Sequence, residues 1–186
     1  MTVRIILACL TAWLPIYAQS FTQTEYRIKA NFLATFPNFI DWPEDAFPSA
    51  TASFLVCVVG TFPFGTSLVA ATRGMFLRGR RIEVVWVHKD QEMRSCHILF
   101  VSHSEEKRYA KILQAVQGAD VLTVGETPKF REAGGVMTFS FQEEALQFEV
   151  NLVAANGAHV KISSRLLAIA KRVLNKPEVA GLLACS

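Results

Sequence analysis

The segment Gly60-Thr61-Phe62-Pro63-Phe64-Gly65-Thr66-Ser67 follows an apolar run and has the spacing of a phosphate-binding loop, G-x-x-x-x-G-K-[ST]. Thr66 stands where that loop needs a lysine to meet the β- and γ-phosphates. Pro63 has no N–H to point at a phosphate, and two phenylalanines crowd the turn. The segment therefore reads as a turn that buries aromatics at the end of a strand. The histidines His88, His97, His103 and His159 form no ligand spacing on a helix. The chain contains neither G-x-S-x-G nor C-x-x-C, which removes the nucleophile elbow and thioredoxin-type thiol exchange. Glu143 and Glu144 are neighbours, but they fall at a polar hairpin tip. No catalytic constellation emerges, and no cofactor is implied.

One binding signal is left among the polar residues. His159, Lys161, Ser163, Ser164 and Arg165 gather where the last helix is expected to begin. Helix N-termini attract anions, so a carboxylate or phosphate of a small ligand would sit there. A capped, solvated helix start accounts for the same residues.

The elements that would position these groups are legible from periodicity. Tyr26, Ala30, Leu33, Phe36 and Ile40 recur at spacings of three and four, with Phe32 and Phe39 widening the stripe and Arg27, Lys29 and Asn31 off it. That pattern predicts an amphipathic helix over residues 25–43, ended by Pro43. Pro37 removes one helical hydrogen bond at about 3 kcal/mol. Burying several aromatic and aliphatic side chains at about 1.5–3 kcal/mol each outweighs it. The expectation is a kinked helix; the alternative is a helix that stops near Phe36, followed by a turn.

Ser53–Gly60 and Cys96–Ser102 are continuous apolar runs of the kind buried on both faces, and Arg81–His88 is a strand nearer an edge. Residues 105–116 form a helix capped by Ser104, and residues 163–174 another capped by Ser163. Between them lie a strand at 120–124, a helical turn at 128–132, and strand-like runs at 136–141 and 146–152 joined by a polar tip. Asn156-Gly157 marks a turn. The order predicts one α/β domain, a mixed central sheet flanked by helices in Rossmann-like layers.

Residues 1–18 resemble a secretory signal: Arg4 near the start, a short apolar core and a small residue, Ala18, at the expected cut. Removing 18 of 186 residues leaves one domain, 19–186, with an ample core. Losing Arg4 lowers the formal charge from +3 to +2, too near neutral for nucleic acid to be the main partner. Export exposes Cys57, Cys96 and Cys185 to oxidation. If the strands that carry Cys57 and Cys96 are neighbours, a bridge there closes a loop worth about 4 kcal/mol. Cys185 is left odd, as a free thiol or a link between chains.

In this order, several segments together resemble the YfiR family of exported bacterial regulators. They are Tyr26, Ile28-Lys29-Ala30, Phe32-Leu33 and Phe39-Ile40-Asp41-Trp42-Pro43; Val58-Val59-Gly60; Cys96-His97-Ile98-Leu99-Phe100; Val121-Leu122-Thr123-Val124; Gly134-Gly135; Phe148-Glu149-Val150-Asn151; and Ile162-Ser163-Ser164-Arg165-Leu166-Leu167. The resemblance implies a non-enzymatic periplasmic protein that dimerises. It implies restraint of an inner-membrane diguanylate cyclase through that enzyme's periplasmic sensor domain, relieved by an outer-membrane lipoprotein. Cyclic di-GMP and biofilm formation would be the output. The family's disulfide falls on Cys57 and Cys96, whereas a second, later bridge has no counterpart. Pro37 departs from the family's usual first helix. Exposed parts of that helix, or the turn with Phe62 and Phe64, are the candidate partner contacts. The second hypothesis is an anion-binding protein with its ligand at His159, Lys161, Ser163 and Arg165, working with a receptor or transporter.

Overall fold

The computed structural model describes residues 14–175, with side chains from residue 23 onward. Most of the expected signal segment, together with Pro177 and Cys185, lies outside the described residues, and the expected cut after Ala18 falls within the first helix. In chain order the elements are α1 (Leu14–Thr35), β1 (Ile40–Asp41), β2 (Phe54–Val59), α2 (Ser67–Thr72), β3 (Phe76–Leu77), β4 (Arg80–Trp86), α3 (Asp90–Arg94) and β5 (Ile98–Val101). Then follow α4 (Tyr109–Ala115), β6 (Leu122–Gly125), α5 (Pro128–Glu132), β7 (Met137–Gln142), β8 (Ala145–Asn151), α6 (Leu152–Gly157), β9 (Lys161–Ile162), α7 (Ser164–Ala168) and β10 (Arg172–Leu174).

Eight strands form one mixed sheet in the order β10-β8-β7-β6-β5-β2-β4-β3. Its middle, β4-β2-β5-β6-β7, is parallel, and the two antiparallel pairs are β7–β8 and β3–β4. The β2-α2-β4 crossover covers one face and β4-α3-β5 the other, so the sheet is doubly wound. Successive residues of β2 and β5 therefore enter different cores. Val56, Val58, Ile98 and Phe100 pack with Leu33, Phe36 and Leu68, while Cys57, Val59, Leu99 and Val101 pack with Met93, Ile112 and Phe130. This is why both strands read as unbroken apolar runs.

The kinked helix through Pro37 is not what forms. α1 ends at Thr35, a 3-10 turn spans Phe36–Phe39, and Ile40 is already extended. Ile40 and Asp41 pair antiparallel with Ile162 and Lys161 as a small second sheet. The burial that argued for a longer helix is obtained without one, because Phe36 and Ile40 are each only 1% exposed. Phe39, counted in the apolar stripe, is exposed.

The helix expected over 163–174 is also corrected. Ser163 does cap it, accepting from the Leu166 N–H, but α7 lasts five residues. The chain then turns, Lys171 N–H donates to the Phe148 carbonyl at 2.9 Å, and β10 adds in parallel to β8. Unpaired backbone at the β8 edge is the stronger demand, and the leucine spacing fits either outcome. Two smaller differences follow the same logic. Ser102, not Ser104, caps the turn before α4, and Asn156-Gly157 lies inside a helix capped by Asn151.

Candidate functional site

In a doubly wound sheet the residues beyond the carboxyl ends of the parallel strands converge, and here β2, β5 and β6 deliver Gly60-Thr61, Ser102-His103-Ser104 and Glu126-Thr127 to one end. The ends of β2 and β5 are sewn together. Thr61 N–H donates to Ser104 Oγ at 2.9 Å, and Thr61 Oγ1 lies 2.8 Å from Ser102 Oγ. Gly60 has a φ of +90°, and a Cβ there would stand 2.5 Å from Ser104 Oγ. The crevice that binds cofactors in other doubly wound proteins is thus filled by the chain's own hydroxyls. The Gly60–Ser67 segment behaves as a turn that buries an aromatic. Phe64 is 3% exposed and packs edge-on against Tyr26 and Phe100.

Beside this seam, α1 contributes Tyr26 and Lys29 to Glu126. Lys29 Nζ lies 2.7 Å from Glu126 Oε2, both side chains being almost fully buried, and Lys29 also pairs with Glu25 one turn earlier. The Tyr26 hydroxyl donates to the same carboxylate at 3.0 Å and 3.1 Å, and His103 Nδ1 lies 3.3 Å from Oε1. Burial, then the Glu126 charge, pushes the Tyr26 hydroxyl well above its ordinary range, so it remains a donor. Tyr109 is raised too, mainly by burial. With both oxygens engaged, Glu126 is a pin for α1 and not a free base. Sequence reasoning missed this cluster because Lys29 and Glu126 are 97 residues apart, and it placed Lys29 off the buried stripe. The available signal was that Lys29 lies three residues from Tyr26 and next to Ala30, on the shoulder of that stripe.

The other sequence-predicted residues divide. Cys57 and Cys96 form a disulfide, with Cα atoms 5.9 Å apart, between β2 and the segment entering β5. Two of the expected anion-binding residues are engaged within the chain: His159 turns to Asp120 at 2.9 Å and Ser163 Oγ is taken by the helix start, while Lys161 and Arg165 are exposed. Phe64 is core, which removes it from any contact surface. Phe62 is half-buried and borders Trp86, which is 55% exposed. Trp86 Nε1–H donates to the Gly60 carbonyl at 2.9 Å, and its ring lies 5.3 Å from that of His88. An exposed aromatic patch therefore sits at the carboxyl end of the sheet, with Trp86 at its centre.

Comparison with known proteins agrees with the resemblance carried by the sequence. The family model described as YfiR/HmsC-like matches residues 26–171. A search of curated proteins finds no match. Two solved structures are similar to this chain at low identity. A conserved domain protein from Vibrio cholerae is 13% identical, with a TM-score of 0.47, over 64% of this chain and 54% of that one. The ABC domain in complex with L-Trp from Streptococcus pneumonia is 12% identical, with a TM-score of 0.49, over 83% of this chain and 60% of that one. This chain thus spans little more than half the length of either. With a match from Tyr26 through nearly the whole described fold, the chain belongs to the YfiR/HmsC-like family.

Proposed function

We propose that this protein binds the periplasmic sensor domain of an inner-membrane diguanylate cyclase and holds it in its low-activity state, lowering cyclic di-GMP and biofilm formation. The observation that carries the reading is the family match over residues 26–171. Restraint of this kind needs no chemistry in the regulator. It needs tighter binding to the inactive sensor than to the active one, since only that difference shifts the equilibrium. The filled crevice and the pinned carboxylate suit a rigid binding module, and the Phe62–Trp86 patch supplies an aromatic anchor for a partner surface. Homodimerisation and relief by an outer-membrane lipoprotein complete the scheme. The alternative is an anionic ligand held at His159, Lys161, Ser163 and Arg165, where His159 and Ser163 are already engaged by Asp120 and the Leu166 N–H.

The test is genetic. Deleting the gene in its host, with the cognate cyclase present, raises cellular cyclic di-GMP, and supplying the gene in trans restores it. Unchanged cyclic di-GMP in the deletion strain overturns the proposal.

A further inference from the structure

The outer edge of β4 is half covered. β3 pairs only with Arg80 and Arg81, and Met75 accepts from the Ile82 N–H. The Val87 N–H donates to Val58 across the β2 side, so the alternation of a strand turns the backbone groups of Val84 and Trp86 outward. Neither residue has a strand partner on that side among the described residues. A groove of about 460 Å³ runs along this edge, with Val69, Thr72, Arg73 and Gly74 on the α2 wall and residues 81–84 on the other. Four consecutive strand residues line it. Because consecutive side chains alternate faces, the groove reaches the edge backbone itself. Val69, Phe76 and Trp86 expose apolar surface along the same edge.

The charge on this edge identifies the occupant. Arg78 pairs with Asp41, and Arg80 donates to the carbonyls of Ser49 and Ala52. Arg73 and Arg81 line the groove with no carboxylate at ion-pair distance among the described residues. Glu83, on the same wall, is engaged by the Ser53 hydroxyl at 2.8 Å. A second copy is a poor fit, because antiparallel self-pairing centred on Val85 would set Arg81 opposite a second copy's Lys89. We infer that the groove between α2 and the β4 edge receives an extended acidic segment of a partner protein. The segment adds as a strand to Val84 and Trp86 while its carboxylates meet Arg73 and Arg81. Main-chain hydrogen bonds supply affinity, and the flanking helix and arginines supply selectivity.

This inference rests on the protein being a protein-binding regulator, but its test reads binding alone and leaves the cyclic di-GMP measurement independent. The probes are a short peptide alternating glutamate with valine, its lysine-for-glutamate counterpart, and an acidic version N-methylated at alternate amides. Amide NMR of the purified protein should show the acidic peptide shifting Val84 and Trp86, with affinity falling as salt rises. The lysine and N-methylated peptides should not bind. R73E/R81E should weaken the acidic peptide by about tenfold or more, as expected for two exposed ion pairs. Circular dichroism checks its fold, and R81Q alone is read in the same way if the double variant does not fold. Equal binding of the lysine peptide, shifts confined to another surface, no binding of the acidic peptide, or a solution dimer paired through Val84 and Trp86 would each overturn the inference.

Discussion

At the scale of single residues, two buried polar groups decide how the molecule responds to mutation and to acid. Lys29 and Glu126 neutralise each other in a dry setting. Lys29→Met leaves the carboxylate with only Tyr26 and His103, and should cost about 3–5 kcal/mol in urea unfolding. Adding Glu126→Gln removes the orphaned charge and should recover much of that loss. His97 is sandwiched between Phe47 and Phe54, and its Nδ1 accepts from the Leu55 N–H at 3.0 Å. Burial, only partly opposed by contact with the Ala46 backbone, holds its pKa down at about 4. The unfolded imidazole takes up its proton near 6.5, so stability is complete above that pH and drains away as pH falls towards the folded value. At pH 4.5 the loss should be about 2–3 kcal/mol. His97→Asn keeps an acceptor for Leu55 and should remove this component. Denaturation midpoints at pH 7 and 4.5 should therefore differ less in the variant than in the wild type. Lys29 also shows the limit of reading residues singly. It is a polar type that usually faces solvent, and only the packing around it makes it internal.

At the scale of elements, turn geometry and close packing carry the predictions. The β7–β8 hairpin closes on Glu143 and Glu144, whose φ values are 50° and 60°. Two left-handed residues between paired strands make a tight hairpin turn that favours Asn-Gly. Glu143→Asn with Glu144→Gly should raise stability by about 1–2 kcal/mol, read as a higher Tm. The glycines around α5 act by space. A Cβ on Gly125 would stand 2.3 Å from Phe130, and one on Gly135 2.0 Å from it, with the ring fully buried against Tyr109. Gly135→Ala should destabilise by about 1–3 kcal/mol in chemical denaturation through overpacking. The hairpin, the β2 and β5 strands and the helical turn at Pro128–Glu132 were legible because local periodicity and breakers agree with the final structure. The end of α1 and the start of β10 were not. Pro37 and the leucines after Ser163 permit two local conformations, and the choice is made by strands β9 and β8 arriving from elsewhere.

At the scale of the whole molecule, stability should be graded from the centre of the sheet outward. The β2 and β5 strands are buried on both faces and tied through Cys57–Cys96, while β3 and β10 are short edges. Hydrogen exchange should be slowest in β2, β5 and β6 and fastest in β3 and β10. Reduction of the bridge should remove about 4 kcal/mol, measured by unfolding with and without reductant. By itself, the sequence determined the α/β class, the near-neutral charge, the doubly buried core strands and the family, because each is written in composition, period or local motif. Tertiary structure alone decided which polar groups meet. It joined Lys29 to Glu126, filled the crevice with Ser102 and Ser104, turned His159 to Asp120 and left Trp86 and the β4 edge open. The physical reason is separation along the chain. Hydrophobic period is a local property that survives any register, whereas a buried ion pair or an open strand edge exists only once distant segments have taken their places.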